Sequence, residues 1–422
     1  MKILVVNLHS SANAGDDVLT QETVRQLYAA FAGASVTLAM NDPDSYQGPA
    51  ATVGSFMAWV KRERRWRWWA LPGLLLLSLA AALAYRLAGL RALRLVPRRY
   101  RALLRAYFEA DIIVSSAGNF LYSSGYVGLA FLVSIYTMAY ARLAGKPLYN
   151  MPQSIGPLRR RWEKRLMRWI VVRMPLFLVR EAISQQQLEE IGAWHAGCRL
   201  VPDLAFALQP ASRATGEQLL RRNGTVPGTG PLLGVTLINW GAQKLQFRGQ
   251  QLYEASVAEA IRAFVAEQGG RCVLFAQVRG PSAVEDDLVP ARRVRDMLCD
   301  LGDAVVLVED KVSPAELKAA YGCMDLFMGT RLHSNIFALS ELVPALTIQY
   351  QPKTAGVLRM LGLEQWVILI EDVSEERLRA SLSRLWTERE TVRAYLQQRL
   401  PPITEEAGQI GTLIADHYKI RL

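Results

Sequence analysis

The stretch Asp325-Leu326-Phe327-Met328-Gly329-Thr330-Arg331-Leu332-His333-Ser334-Asn335 carries the reading of the fold. Its apolar start, 325–328, has the length and composition of a buried strand. A tight turn follows, and the spacing predicts a helix from about Ser334. Strand, small-residue turn and helix in that order form the repeating unit of a parallel α/β sheet, whose ligands bind at the carboxyl ends of the strands. Arg331 and His333 fall at such an end. A guanidinium grips a carboxylate or phosphate through two parallel hydrogen bonds. An imidazole titrates near neutrality and can donate a proton. A lone histidine is more often structural, but one beside an arginine at a strand end points to function. Of the four histidines, His195 and His417 lie in polar contexts and His9 precedes the first loop.

The same grammar extends in both directions. In the first half, strands are expected at 2–7, 35–40, 111–115, 147–150 and 176–180, with helices near 16–31, 126–144, 162–172 and 182–191. A polar, glycine-containing stretch, 209–230, reads as a linker. The pattern then restarts with strands at 232–238, 272–276, 304–308, 325–328 and 345–349, and a long helix over 375–398. A chain of 422 residues, half of them apolar, suits two domains with a core each. The expected architecture is therefore α/β: two doubly wound Rossmann-like domains, 1–210 and 231–422, facing each other across a cleft. Cys198, Cys272, Cys299 and Cys323 are scattered without a CxxC pair, which predicts a reducing compartment and no zinc site. The opening MKILVVN reads as a buried strand rather than a signal peptide, so a cytoplasmic protein is expected.

The formal charge of +11 invites a nucleic-acid reading, but residues 61–105 alone hold twelve Lys/Arg against one acid, Glu63. The rest of the chain is neutral. That basic insertion, about 56–105, is also the greasiest part of the chain, which argues against nucleic acid. Residues 68–85, WWALPGLLLLSLAAALAY, form a run of 18 without a charge, the length of a membrane span. Three features oppose a single crossing: Pro72 and Gly73 near its start, arginines on both flanks, and flanking strands that should share one sheet. A helical hairpin or in-plane helix in the cytoplasmic leaflet fits better, with Trp59, Trp66, Trp68 and Trp69 at the interface and arginines on anionic headgroups. A buried core helix or a patch for a partner subunit would account for the same composition.

Four further loops are small and polar at strand ends. The first, Asn7 to Asp17, precedes a helix whose free N–H groups suit an anion, although Asp16 or Asp17 could equally cap it. The others are Ser115-Ser116-Ala117-Gly118-Asn119, Gln153-Ser154-Ile155-Gly156-Pro157, and Arg180-Glu181 with Ser184. Arg180 ends a buried strand, an unusual place for a charge unless it forms a surface pair with Glu181. Tyr350-Gln351-Pro352-Lys353 adds a cation near the rim that holds Arg331.

Asn13-Ala14-Gly15-Asp16, Gln153 to Pro157, Arg180-Glu181 with Ser184, Val201-Pro202-Asp203, Arg331-Leu332-His333-Ser334 with Phe337-Ala338, and Tyr350 with Lys353 together resemble the polysaccharide pyruvyl transferase family, in its order, over roughly residues 3 to 363. The resemblance implies a glycosyltransferase-B-like architecture. It also implies transfer of the enolpyruvyl carbons of phosphoenolpyruvate onto two sugar hydroxyls as a cyclic ketal, with release of phosphate. It makes Arg331 and His333 the essential pair and Arg180 a donor-binding arginine. Lys353, Ser334, Asn13, Gly15, Asp16 and Gln153 become candidate substrate-binding residues. Two departures stand out: the family's glycine run is replaced by Ser115-Ser116-Ala117-Gly118, and the insertion around 71–90 is unusually long, as for a membrane-bound acceptor.

The chemistry fits these residues. Phosphoenolpyruvate needs several fixed cations, which Arg180, Arg331 and Lys353 supply from both domains, so closure would complete the site. A protonated His333, favoured by the donor's phosphate and carboxylate, would protonate the methylene carbon. The reaction needs no metal or other cofactor beyond phosphoenolpyruvate as co-substrate. The expected partners are a glycan or lipid-linked saccharide and an anionic membrane surface. A nucleotide-sugar glycosyltransferase of the same architecture is the competing enzyme, although no glycine-rich diphosphate turn is evident in the second half. A membrane-docked scaffold would leave Arg331 and His333 unexplained.

Overall fold

The computed structural model describes residues 1–62, 67–123, 128–244, 247–280 and 283–420. The chain forms two compact units, one of Met1–Ser11, Leu19–Leu204 and Glu406–Leu422, the other of Ala12–Val18 and Ala205–Glu405.

The first unit contains strands β1 (Lys2–Leu8), β2 (Ser35–Met40), β3 (Ala51–Gly54), β4 (Ile112–Ser115), β5 (Gly118–Leu121), β6 (Leu148–Asn150), β7 (Gln153–Ile155), β8 (Phe177–Val179) and β9 (Cys198–Leu200). A parallel sheet runs in the order β3-β2-β1-β4-β6 and a second in the order β5-β7-β8-β9. Their continuous apolar runs follow from burial on both faces. The second sheet was not foreseen: of the stretches 115–119 and 153–157, read as loops, 118–119 lie in β5 and 153–155 in β7. β4 and β6 each break for two residues and resume in the second sheet. Pro152 offers no N–H at one break, but its carbonyl accepts from Gly118 N at 3.3 Å. The Gln153 carboxamide donates to the Ser116 carbonyl across the breaks.

The second unit carries β10 (Leu232–Thr236), β11 (Arg271–Phe275), β12 (Val305–Val308), β13 (Leu326–Gly329), β14 (Ala345–Gln349) and β15 (Val367–Leu369). These form one parallel sheet in the order β12-β11-β10-β13-β14-β15, which is the Rossmann order. The order reverses between β10 and β13, so the turn after β13 lies at the crevice where such sheets bind ligands. The stretch 209–230, read as a linker, contains a helix, Arg213–Arg222, capped by Ser212. It belongs to the second unit, where Gly216 approaches Ala319 so closely that a Cβ would lie 2.5 Å from the Ala319 carbonyl oxygen. That glycine serves close packing rather than flexibility. The last long helix, Glu375–Gly408, runs past the expected end at 398 and through Pro401 and Pro402. Beyond it, Gln26 ties the chain to the first unit through the Ala407 carbonyl and the Gly411 N–H, both at 2.9 Å.

The uncharged run 68–85 of the insertion lies in one helix, Arg67–Ala88, not in a hairpin. One face packs on the first unit. Ser78 Oγ lies 2.7 Å from Tyr136 Oη, and the Tyr85 ring stacks on Phe108 at 4.1 Å. Trp59, expected at an interface, is instead buried against Phe56 and Tyr100, because its short helix folds back onto the sheet. Trp66 and Tyr126 lie outside the described residues, as do the side chains of Trp68 and Trp69. The other face exposes Leu76, Leu83 and Leu87 (66, 64 and 84% accessible). Pro72–Arg94 is long and apolar enough to cross a membrane. β3 before it and β4 after it nevertheless lie in one sheet, which a single crossing would tear apart.

Candidate active site

In the second unit, β13 delivers Thr330 and Arg331 to the start of helix Leu332–Ser340. Ser334 Oγ donates to the Arg331 carbonyl at 2.7 Å, and Asn335 Nδ2 bridges the carbonyls of Gly329 and Arg331, each at 3.0 Å. A Cβ on Gly329 would lie 2.3 Å from Asn335 Oδ1, so the turn closes only with glycine there. The buried Ser334 and Asn335 therefore hold the turn that carries the arginine. Thr330 is fixed from the other side by Tyr253 Oη at 2.7 Å.

Arg331 is gripped by Asp287. Its Nη2 donates to Oδ1 at 2.6 Å and its Nε lies 3.1 and 3.2 Å from the two carboxylate oxygens. Asp287 is fully buried and also accepts from the Val278 N–H at 3.0 Å. Burial pushes its carboxyl up to about 6, with the Arg331 charge opposing. For Arg331, burial works against the charge, but Asp287 and Tyr350 outweigh it and the guanidinium stays protonated. The Arg331 side chain keeps 12% accessibility and lies 6.0 Å from the Tyr350 ring centroid. A guanidinium with a fixed plane and a small accessible edge is suited to a carboxylate or phosphate. Lys353 sits in the first turn of helix Pro352–Leu361, after β14, the strand beside β13.

His333 lies two residues on, against the loop 12–18. The loop is pinned by a bridge from Asn13 to Val278 and by Arg279 N donating to the Ala12 carbonyl at 3.2 Å. Within it, Asn13 Oδ1 accepts from Gly15 N at 2.9 Å while its Nδ2 donates to Asp16 at 3.1 Å. A Cβ on Gly15 would lie 2.2 Å from His333 Nδ1, so only a bare backbone fits beside the imidazole. Asn13, Gly15 and Asp16 are thus brought to His333, and Ser334 supports Arg331 from below.

Arg180 and Gln153 belong to the first unit and are built differently. The Arg180 side chain is 1% accessible; its Nη1 pairs with Asp203 at 2.6 Å and its Nε donates to Ser154 Oγ at 2.8 Å. Glu181 does not pair with it but caps helix Ala182–Glu190 through the Ser184 N–H at 3.0 Å. Gln153 Oε1 is buried with no hydrogen-bond partner. Asp287 was missed in the sequence: it lies 44 residues before Arg331 in an acidic loop, and nothing local marks it. Tyr253 and Thr330 escaped notice for the same reason.

Comparisons with known proteins follow the same line. The chain is 23% identical over 423 residues to the amylovoran biosynthesis protein AmsJ of Erwinia amylovora, covering 95% of this chain and 97% of that one. Among solved structures, it resembles a protein of Listeria monocytogenes described as a UDP-N-acetylglucosamine 2-epimerase (TM-score 0.60, 11% identity, 100% of this chain and 97% of that one). It also resembles sucrose-phosphate synthase of Thermosynechococcus elongatus (TM-score 0.58, 15% identity, 100% and 99%). At such identities these likenesses speak for the fold, which is glycosyltransferase-B-like. The family model for polysaccharide pyruvyl transferase matches residues 13–352, from the loop beside His333 to the strand end beyond Arg331, and the chain belongs to that family.

Proposed function

We propose that this transferase moves the pyruvyl group of phosphoenolpyruvate onto two hydroxyls of a sugar in a cell-surface glycan. The observation that carries the reading is the Arg331–Asp287 pair at the switch point of the second sheet, with His333 next to it. Arg331 and Lys353 take the anionic donor. His333 places a proton on the methylene carbon, leaving an oxocarbenium-like C2. One acceptor hydroxyl bonds to C2 and phosphate leaves with the electrons of its C–O bond. The second hydroxyl then closes the ketal. The two hydroxyl protons balance the new methyl hydrogen and the released phosphate, so the step needs no cofactor beyond phosphoenolpyruvate. Arg180 enters as the residue that fixes Ser154 and Asp203. The name of the Erwinia relative supports a role in polysaccharide biosynthesis.

The test uses the full chain. Phosphoenolpyruvate, and not a nucleotide-sugar, should raise the melting temperature, and lipid-linked saccharides should trigger phosphate release. His333→Ala should keep donor binding and lose turnover by roughly 10²–10⁴-fold. Near-normal release from that variant removes His333 from the mechanism, and a response to nucleotide-sugar alone sinks the reading.

The site of action is proposed to be the cytoplasmic face of an anionic membrane. The exposed Leu76, Leu83 and Leu87 stripe, with exposed Arg86, Arg91, Arg94, Arg98 and Arg99 nearby in the chain, supports an in-plane contact. Each arginine near such a surface adds about 1 kcal/mol, screened by salt. Flotation with anionic vesicles should capture the protein and salt should weaken the capture. Replacing the three leucines with glutamate should abolish it. Capture unchanged by that replacement places the contact elsewhere.

A further inference from the structure

The first unit holds a small, partly open pocket of about 80 Å³, which no step above uses. It opens at the carboxyl ends of β1, β2 and β3, with Asn119 and Phe120 of β5 beside them, at the side of the first sheet where such folds bind ligands. Asn7, His9, Asn41, Ser55, Asn119 and Ser134 supply much of its polar lining, and among the described residues no Asp, Glu, Lys or Arg lines it. An anion such as phosphoenolpyruvate meets no fixed charge there. Carboxamides and hydroxyls both donate and accept, which matches the hydroxyls of a neutral sugar.

The lining is held in place. Ser55 Oγ donates to Asn41 Oδ1 at 2.6 Å, which turns the Asn41 amide nitrogen toward His9 Nδ1 at 3.4 Å. Asn7 has a φ of +62°, a left-handed backbone outside glycine, and its amide donates to Ser115 Oγ at 3.1 Å. Such backbone strain gathers where a ligand is bound. Phe120 and Tyr122 add ring surface. Helix Leu129–Leu143 contributes Ser134 and Thr137 to the pocket, while its Tyr136 and Tyr140 meet Ser78 of the insertion at 2.7 and 2.9 Å. The pocket and the leucine stripe thus sit on two helices in direct contact, which suits a lipid-linked acceptor.

We propose that this pocket binds an uncharged pyranose of the acceptor glycan. The inference rests on the transfer to a glycan proposed above. Saturation-transfer NMR on the full chain, with the methyl glycosides of glucose, galactose and mannose, reads the pocket without turnover. At least one glycoside binds wild type. Ala130→Trp, which fills the pocket from an exposed helix position, and Asn41→Ala each weaken that binding about ten-fold or more. Both variants keep the wild-type melting temperature within a few degrees and its rise with phosphoenolpyruvate. If no glycoside binds, or if binding survives both substitutions, the proposal is overturned. Loss of the phosphoenolpyruvate response in wild type, with glycoside binding intact, overturns the donor reading instead.

Discussion

Arg180 and Arg331 arise from the same sequence pattern and end in different states. Each follows a short apolar strand of a parallel sheet, and each is met by a carboxylate distant in the chain, Asp203 or Asp287. Arg180 is closed, with 1% of its side chain accessible and Ser154 on its Nε. Arg331 keeps 12% accessibility, with an aromatic ring beside it and a histidine two residues on. The first pair locks a fold. The second leaves an edge of its cation accessible. An arginine at a strand end is therefore not a ligand site until its cover is known.

The largest effect separates the two directly. Arg180→Ala leaves Asp203 buried and unpaired, and should cost about 3–5 kcal/mol of stability in urea unfolding. Arg331→Ala also leaves a buried carboxylate, Asp287, unpaired, and should in addition weaken phosphoenolpyruvate binding by about 2–5 kcal/mol in calorimetry. If Arg180→Ala melts like wild type and loses donor affinity, Arg180 is a donor ligand and the contrast collapses.

The next test turns on Asp287, whose carboxyl is raised to about 6. A carboxyl raised on folding contributes stability that is full below its ordinary value near 3.9 and is lost as pH rises through about 6. The stability of wild type relative to Asp287→Asn should fall between pH 4 and pH 7, by on the order of 3 kcal/mol. A difference that is flat across that window, by urea unfolding, shows that Arg331 holds Asp287 ionised throughout.

The smallest effect sharpens the open end of the comparison. Gly15→Ala places a Cβ against His333 Nδ1, so the imidazole must move. Gly15 lies in the first turn of its helix without a left-handed backbone, so folding should be spared. Turnover should fall about 10- to 100-fold, the cost of misplacing a catalytic group by about an ångström, while donor binding stays near wild type. Unchanged turnover in phosphate release would show that the imidazole acts from another position.

Much of this was legible in the chain. Short apolar runs separated by helical patterns led to two of the three parallel sheets, because strands buried on both faces must be apolar throughout. The strand-end position of Arg331 and His333 was legible because it depends on residues a few places apart. The uncharged run beside arginines marked the insertion, but its two faces did not separate: a helix apolar all round gives no clue to which side is covered. Trp59, on the short helix Phe56–Arg62 before that run, looked interfacial beside the arginines and is core.

What the sequence determined by itself was local: which segments are strands, which turns carry charge, and that residues 61–105 hold the net charge of the whole chain. Only the tertiary structure decided the pairing of Arg331 with Asp287 across 44 residues, the closure of Arg180 by Asp203, and the contact of Gly15 with His333. Propensity and periodicity act over a few residues. Burial, and with it the difference between a locked arginine and an open one, depends on which distant segment packs on top.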